Sequence, residues 1–290
     1  MAIYNLGSVN IDHFYTLPHF PKPGETLHAI DHSIGLGGKG TNQSVAAAKA
    51  GAEVFHIGAI GKADAWVRER MTSFGVNTTY VQDLSEVTGH AIINVDAQGE
   101  NTIVLQPGAN VKQDAQSILD AIDHAQEGDT LLLQNETNLQ DHAAQAARAK
   151  KMRVIYSAAP FDVDAVKQVM SDVSILVMNS VEAAQLTSAL GVELDKLPVP
   201  QVIVTLGSKG AMWRSNETGE VIEVSSPKVT PVDTTAAGDT FIGYVAAGLD
   251  KGQSIKEAME WASQAAALKV TRKGTADAIP TADEVNAFSA

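Results

Sequence analysis

The sequence predicts an α/β protein: a three-layer α/β/α sandwich with a mostly parallel central sheet and a small β-sheet projecting from it as a lid. Three observations carry this expectation. Short apolar runs alternate with stretches of helical periodicity. Several of the helical stretches are stopped by a glycine. Two extended segments, at about 13–34 and 90–105, interrupt the alternation. Repeated strand–helix units imply a parallel sheet covered on both faces. The 290 residues read as one domain with the lid segments inserted in it.

The elements follow in order. Ile3–Leu6 is the first strand, and Gly40–Ala50 is an Ala-rich helix stopped by Gly51. Val54–Ile60 is a strand, Ala65–Phe74 a helix stopped by Gly75, and Thr78–Val81 a strand. Ala115–Ala125 is a helix, Thr130–Leu133 a buried strand, Asp141–Ala149 a helix and Arg153–Tyr156 a strand. Ser174–Met178 is a strand, Val181–Leu190 a helix ended by Gly191, and Val202–Leu206 a strand. Two long helices, about Ala237–Leu249 and Ser254–Val270, close the chain. The first interrupting segment contains Pro18, Pro21 and Pro23, then places Ile30 and Ile34 on one face and Asp31 and Ser33 on the other. The second runs Ala91 to Val95, turns at Asp96–Gly99 and returns through Thr102–Leu105, a β-hairpin pattern. Together they make a small sheet with an apolar face and edges to protect, suited to a lid, a homodimer interface, or both.

Composition narrows the partners. Hydrophobic residues make up 44%, enough for a sizeable core, and the net charge of −13 argues against nucleic acid or an anionic membrane. Without cysteine there are neither disulfides nor thiolate metal sites. The first residues, Met-Ala-Ile-Tyr-Asn-Leu, show no signal-peptide pattern, and no apolar run is long enough to span a membrane. A soluble cytoplasmic protein is expected.

The most informative stretch is Asp233-Thr-Thr-Ala-Ala-Gly-Asp239-Thr-Phe241. Phe241, Tyr244, Val245, Gly248 and Leu249 fall at helical spacing, so a helix starts near Ala237. Its first turn leaves backbone N–H groups unpaired, and their partial positive charge collects anions. Ala236, Ala237 and Gly238 are too small to block a phosphate, and Asp239 sets a carboxylate beside that anion hole. Such a pairing suits phosphoryl transfer onto a hydroxyl. The structural reading of Asp239 is a helix cap or dipole partner.

Other constellations lie at strand ends and glycine loops. Gly35-Leu-Gly37-Gly38-Lys39-Gly40-Thr41-Asn42-Gln43 contains a G-x-G-x-x-G string before a helix, but it follows an extended Pro-rich segment, unlike a dinucleotide fingerprint. Nor is it a P-loop, since Gly40 follows Lys39. Its structural reading is a turn that lets a helix pack closely; its functional one points Lys39 and Asn42 at sugar hydroxyls. Asn10 and Asp12 share one face near the end of the first strand, where α/β ligands bind, although an Asx turn would explain them too. Glu136 follows the strand Thr130–Leu133. Asn179 and Glu182 have capping-box spacing, or lie near phosphate with Glu182 reaching magnesium through water. Thr205-Leu-Gly207-Ser208-Lys209-Gly210 cradles a nucleotide or merely turns a hairpin. His28 and His32 lack a third ligand for zinc.

From Gly7-Ser-Val-Asn-Ile-Asp12 to Thr271-Arg-Lys-Gly274 the chain resembles the ribokinase family of sugar kinases, the phosphofructokinase B group. Asp233–Phe241 looks like the family's closing signature, and Gly37-Gly-Lys-Gly-Thr-Asn42, followed by Gly51 and Gly61, like its first. The Gly-Lys-Gly-x-Asn-Gln form is nearer to the ribose-phosphorylating branch than to the fructokinases. The resemblance implies an ATP- and magnesium-dependent kinase of a pentose, with D-ribose at its 5-hydroxyl as the expected acceptor. It implies Asp239 as base, Ala236, Ala237 and Gly238 as anion hole, and Asn10, Asp12, Gly38, Lys39, Asn42 and Glu136 around the sugar. Thr205, Gly207, Ser208, Lys209, Gly210 and Ser263 would line the ATP site, with Asn179 and Glu182 near phosphate and magnesium. It also implies a potassium site behind the anion hole, with ligands from Asp233, Thr235, Lys269, Arg272 and Gly274, mostly carbonyl oxygens. Ala278 stands where a Ser ligand is common, and Ser263 where a His or Asn is common near the adenine. Competing readings are a kinase of another sugar or a nucleoside, and a non-catalytic sugar-binding regulator.

Overall fold

The structure, a computed structural model, describes residues 1–288. In chain order it contains β1 (Ala2–Leu6), β2 (Asn10–Thr16), β3 (Asp31–Gly37), α1 (Lys39–Lys49), β4 (Glu53–Gly61), α2 (Ala65–Ser73), β5 (Asn77–Leu84), β6 (Gly89–Val95), β7 (Asn101–Gln106), α3 (Ala115–Asp123) and β8 (Thr130–Gln134). It continues through α4 (Gln140–Ala149), β9 (Arg153–Ser157), α5 (Val163–Val169), β10 (Ile175–Asn179), α6 (Ser180–Leu190), β11 (Gln201–Thr205), β12 (Ala211–Ser215), β13 (Val221–Val224), α7 (Ala237–Asp250), α8 (Ile255–Val270) and α9 (Ala282–Asn286). Nine strands form the central sheet in the order β13-β12-β11-β10-β9-β8-β1-β4-β5. Every pairing from β5 to β11 is parallel, and β12 and β13 add an antiparallel edge.

The central strands are apolar on both faces because both faces are covered. Ile3 of β1 and Leu132 of β8 enter one core with α1, α7 and α8, whereas Tyr4, Leu6, Leu131 and Leu133 enter the other with α3 and α4. A strand buried this way cannot take its register from a polar face. At the start of β1 the polar flank helps instead: the Ala2 N–H donates to Asp129 Oδ1 at 2.8 Å, just before β8. The Ala-rich face of α1 lies directly on α7. A Cβ at Gly243 would sit 2.5 Å from the Ala46 Cβ, so this close approach depends on a glycine.

The second sheet has the order β3-β2-β6-β7. It is the small second sheet expected from the sequence, with wider limits. Asn10 pairs with Gly37, so the first lid segment reaches from 10 to 37, while the prolines lie in the loop between β2 and β3. Asn10 and Asp12 therefore belong to a lid strand rather than to the end of β1. The short helix α5 and the hairpin β12–β13 escape sequence reading, because seven, five and four residues are too few to establish a period. The loop at 207–210 does turn the β11–β12 hairpin.

Candidate active site

Parallel strands bring their carboxyl ends to one edge of the sheet, the usual place for α/β ligand sites. Ser8 follows β1, Glu136 follows β8, Asn179 ends β10 and Thr205 ends β11. The N-terminus of α7 faces this edge between two cavities of about 260 and 380 Å³. Both cavities are lined by Thr205, Thr234, Ala237 and Gly238. A shallower depression of about 580 Å³ near Arg68 and Thr72 lies apart from these residues and contains no convergent carboxylates.

The start of α7 is built to stay open. Ala236 takes the left-handed conformation (φ 59°) and caps the helix with no side-chain hydrogen bond. That conformation costs a non-glycine residue roughly 1–3 kcal/mol, and such strain concentrates at functional sites. The Ala237 N–H is turned onto the Thr234 carbonyl at 3.2 Å. Among the described residues, the N–H groups of Ala236 and Gly238 find no partner in the chain. The positive end of the helix dipole is thus unneutralised except by Asp239 in the first turn.

Asp239 is buried and oriented by two amides from α1: Asn42 Nδ2 donates to one carboxylate oxygen and Gln43 Nε2 to the other, each at 3.1 Å. Asn42 Oδ1 is buried with no partner in the chain, an acceptor left over for a ligand. Lys39, Asp239, Asn179, Glu182 and Thr205 line the smaller cavity together with Ala236, Ala237 and Gly238. The Asp239 carboxylate holds the Lys39 ammonium above its ordinary pKa, with a smaller contribution from Glu136. Glu136 accepts from the Lys39 backbone N–H at 3.0 Å and from the Ser8 hydroxyl. Burial pushes its carboxyl up, against the pull of Lys39. Burial, helped by Glu136, raises Asp12 to about 7.

Gly38 joins β3 to α1 at φ 90°, in the region that favours glycine. Two supports of this region were not assigned from the sequence. Gln43 stands in the glycine-loop signature, yet its role depends on α7, nearly two hundred residues away in the chain. Asn110 has no sequence signal; its side chain accepts from the Val9 N–H and donates to Asn10 Oδ1, both at 2.8 Å, fixing the start of β2. Gly37 also matters for its empty side. A Cβ there would fall 1.9 Å from Asp12 Oδ2. Gly37→Ala is therefore expected to displace the Asp12 carboxylate and weaken ligand binding on that side by at least ~10-fold, on the order of one charged hydrogen bond. Calorimetric titration beside a melting curve separates this from unfolding.

On the other side, Gly207, Ser208, Gly210 and Ser263 line the larger cavity, while Lys209 is exposed and does not. Much of its wall comes from unassigned residues: Pro227, Val229, Pro231, Ala266 and Val270 supply an apolar surface fit for a flat ring. Asn179 and Glu182 make a complete capping box on α6, so the structural reading of their spacing is realised. Glu182 nevertheless lines the smaller cavity. No cluster of three His, Asp or Glu side chains able to hold a metal exists among the described residues. That fits magnesium arriving on phosphates, which needs only one or two protein carboxylates.

Several oxygens of the expected potassium site are taken up within the chain. Asp233 Oδ1 accepts from the Thr235 N–H and Oδ2 from the Gly274 N–H, each at 2.9 Å. The Asp233 carbonyl accepts from the Lys269 side chain at 3.0 Å, and the Lys269 carbonyl accepts from the Arg272 N–H at 2.9 Å. The Arg272 guanidinium pairs outward with Glu284. The Ala278 side chain is a buried methyl. The Asp233 carbonyl, both Asp233 carboxylate oxygens and the Lys269 carbonyl are thus engaged within the chain, whereas the carbonyls of Thr235, Arg272 and Gly274 accept no hydrogen bond among the described residues.

An anion hole shared by two cavities is what group transfer between two bound molecules requires, and this site on this fold is that of a kinase. The chain belongs to the pfkB family of carbohydrate kinases, whose profile matches residues 3–282. It is 37% identical over 300 residues to a ribokinase of Haemophilus influenzae, covering 98% of this chain and 96% of that protein. It is 32% identical over 304 residues to a deoxyribokinase of Salmonella typhimurium, covering 99% and 98%. The structure of Arabidopsis thaliana ribokinase complexed with ribose and ATP superposes with a TM-score of 0.89 at 29% identity, covering 99% of both chains. The ribokinase-like fold expected from the sequence is the fold observed.

Proposed function

We propose that this chain transfers the γ-phosphoryl group of ATP to the 5-hydroxyl of D-ribose, giving ribose 5-phosphate and ADP. The observation that carries the reading is Asp239, held by Asn42 and Gln43 beside the uncapped start of α7, where the two cavities meet. The ribose and ATP of the Arabidopsis relative support the choice of substrates. The sugar lies against Asn10, Asp12, Gly38, Lys39, Asn42 and Glu136, and the nucleotide in the larger cavity against Thr205, Gly207, Ser208, Gly210 and Ser263. The sugar oxygen attacks the γ-phosphorus, the bond from that phosphorus to the β,γ-bridging oxygen breaks, and the hydroxyl proton passes to the Asp239 carboxylate. Phosphoryl transfer depends mainly on positioning and charge stabilisation, which the free N–H groups of Ala236 and Gly238 supply. Magnesium, held by nucleotide phosphates with Glu182 through water, would neutralise charge on the transferred group.

The lid carries apolar residues on both faces. Directly paired residues point the same way, so Leu105, paired with Ala91 and through it with Asp12, shares the Asp12 face over the sugar. Ile34, Ile92 and Val104 line up through His13 on the outer face and are exposed. A second copy of the chain would cover them, making a homodimer; a monomer in sedimentation velocity would refute this.

The deciding experiment measures ATP consumption across pentoses, hexoses and nucleosides. Ribose is expected to give the highest kcat/KM. Deoxyribose, suggested by the deoxyribokinase relative, is the competing substrate. No sugar-dependent ADP release with any of them would overturn the kinase assignment.

A further inference from the structure

Lys269 is the most unusual group outside the proposed chemistry. It is fully buried on α8, among the largest side chains so enclosed. An ammonium in that position loses several kcal/mol of hydration unless it is paired, and an alkyl side chain would fill the space without that penalty. Its hydrogen bond goes to the Asp233 carbonyl, the residue that opens the loop leading to the anion hole. Burial lowers its pKa from the ordinary lysine value, and the charges of Asp233 and Asp239, at the two ends of that loop, act in the opposite direction. The charge is therefore placed behind the uncapped N-terminus of α7, where it attaches the loop backbone to α8 and adds to the positive field at the anion hole. It also takes up the Asp233 carbonyl, and the Asp233 carboxylate oxygens and the Lys269 carbonyl are bonded to N–H groups.

We propose that Lys269 is a built-in monovalent cation: its ammonium positions the Asp233–Gly238 loop in place of a bound potassium ion, and the kinase works without added potassium. Lys269 is a positioning residue, because it reaches the reacting atoms only through the loop. The inference rests on the phosphoryl-transfer reading of the site, so its test includes a measurement that needs no turnover.

Initial rates are compared in potassium, sodium and choline chloride at equal ionic strength, for the intact chain, Lys269→Met and Lys269→Ala. The intact chain should be equally active in all three, to within about twofold. Lys269→Met keeps the bulk and loses the charge; kcat should fall ~10–10²-fold, the scale of one charged hydrogen bond, with the sugar KM nearly unchanged and no response to salt. Lys269→Ala opens a space, and potassium or ammonium should restore kcat at least ~10-fold relative to choline. Melting temperature supplies the independent arm: potassium should raise it for Lys269→Ala and leave the intact chain where it is. Absence of sugar-dependent turnover from every protein, with this melting pattern intact, would sink the kinase reading but not the built-in cation. Activation of the intact chain by potassium of ~10-fold or more, or Lys269→Met with full turnover in choline, would overturn the proposal. Should Lys269→Ala fail to fold, those two outcomes still decide it.

Discussion

Asp239→Asn is expected to lower kcat by about 10²–10⁴-fold, the range typical of a general base, while the sugar KM stays within about threefold. The amide cannot accept the hydroxyl proton, and Lys39 does not replace it, because the Glu136 and Glu182 carboxylates that favour its charged form remain in the variant. Shape is nearly conserved, but the cradle is not. Asn42 and Gln43 both donate to the carboxylate oxygens, so the new amide must turn its own NH₂ toward one of these donors. A modest loss of stability, on the order of one hydrogen bond, should accompany the loss of turnover. Single-turnover kinetics with a melting curve separates the two effects. An Asn variant with near-normal turnover would remove Asp239 from the role of base.

The second large effect is expected at Asp12. Burial and the nearby Glu136 carboxylate raise its pKa to about 7 in the free protein, against 3.8 for an ordinary Asp. Between those values the unfolded chain has released a proton that the folded chain keeps. The unfolded state then binds fewer protons, so stability falls as pH rises from about 4 to about 7. The penalty at pH 8 is on the order of 4 kcal/mol as an upper bound, from about 1.4 kcal/mol for each pKa unit. A sugar whose hydroxyls donate to the ionised carboxylate recovers part of it. Sugar affinity should therefore rise with pH through about 7, by up to ~10-fold per unit below the pKa, and level off above it. Asp12→Asn should flatten that profile, weaken sugar binding by ~10²-fold or more as charged acceptors are lost, and stabilise the unliganded protein at pH 8. Calorimetric titration at pH 6 and pH 8 tests this. Equal affinity at both pH values in the parent chain would show that Asp12 does not receive the sugar.

The fold was largely legible because its elements repeat. Each βα unit carries a run apolar on both faces, then a helical period, then a glycine, and these local signals survive tertiary context. What was lost was short or displaced. The hairpin β12–β13 has too few residues for a period. Asn10 and Asp12 sit so close behind β1 that they read as its end, although the chain has already crossed into the lid sheet. The start of α7 was readable as a helix N-terminus followed by an acid. Its unpaired N–H groups were expected too, but not the left-handed conformation of Ala236, which alanine normally avoids.

The sequence by itself determined the order of elements, the glycine loops, the acid on the last anion-binding turn and the sugar-kinase family those motifs resemble. Only the tertiary structure decided which groups meet there. Gln43 and Asn42 reach Asp239 from the other end of the chain, Asn110 holds Asn10, and the Lys269 ammonium takes the Asp233 carbonyl. Periodicity and capping act within a few residues and are written locally. A hydrogen bond between residues far apart in sequence depends on strand order and helix packing. A lysine near the end of a helix therefore reads as a solvated charge until the fold encloses it.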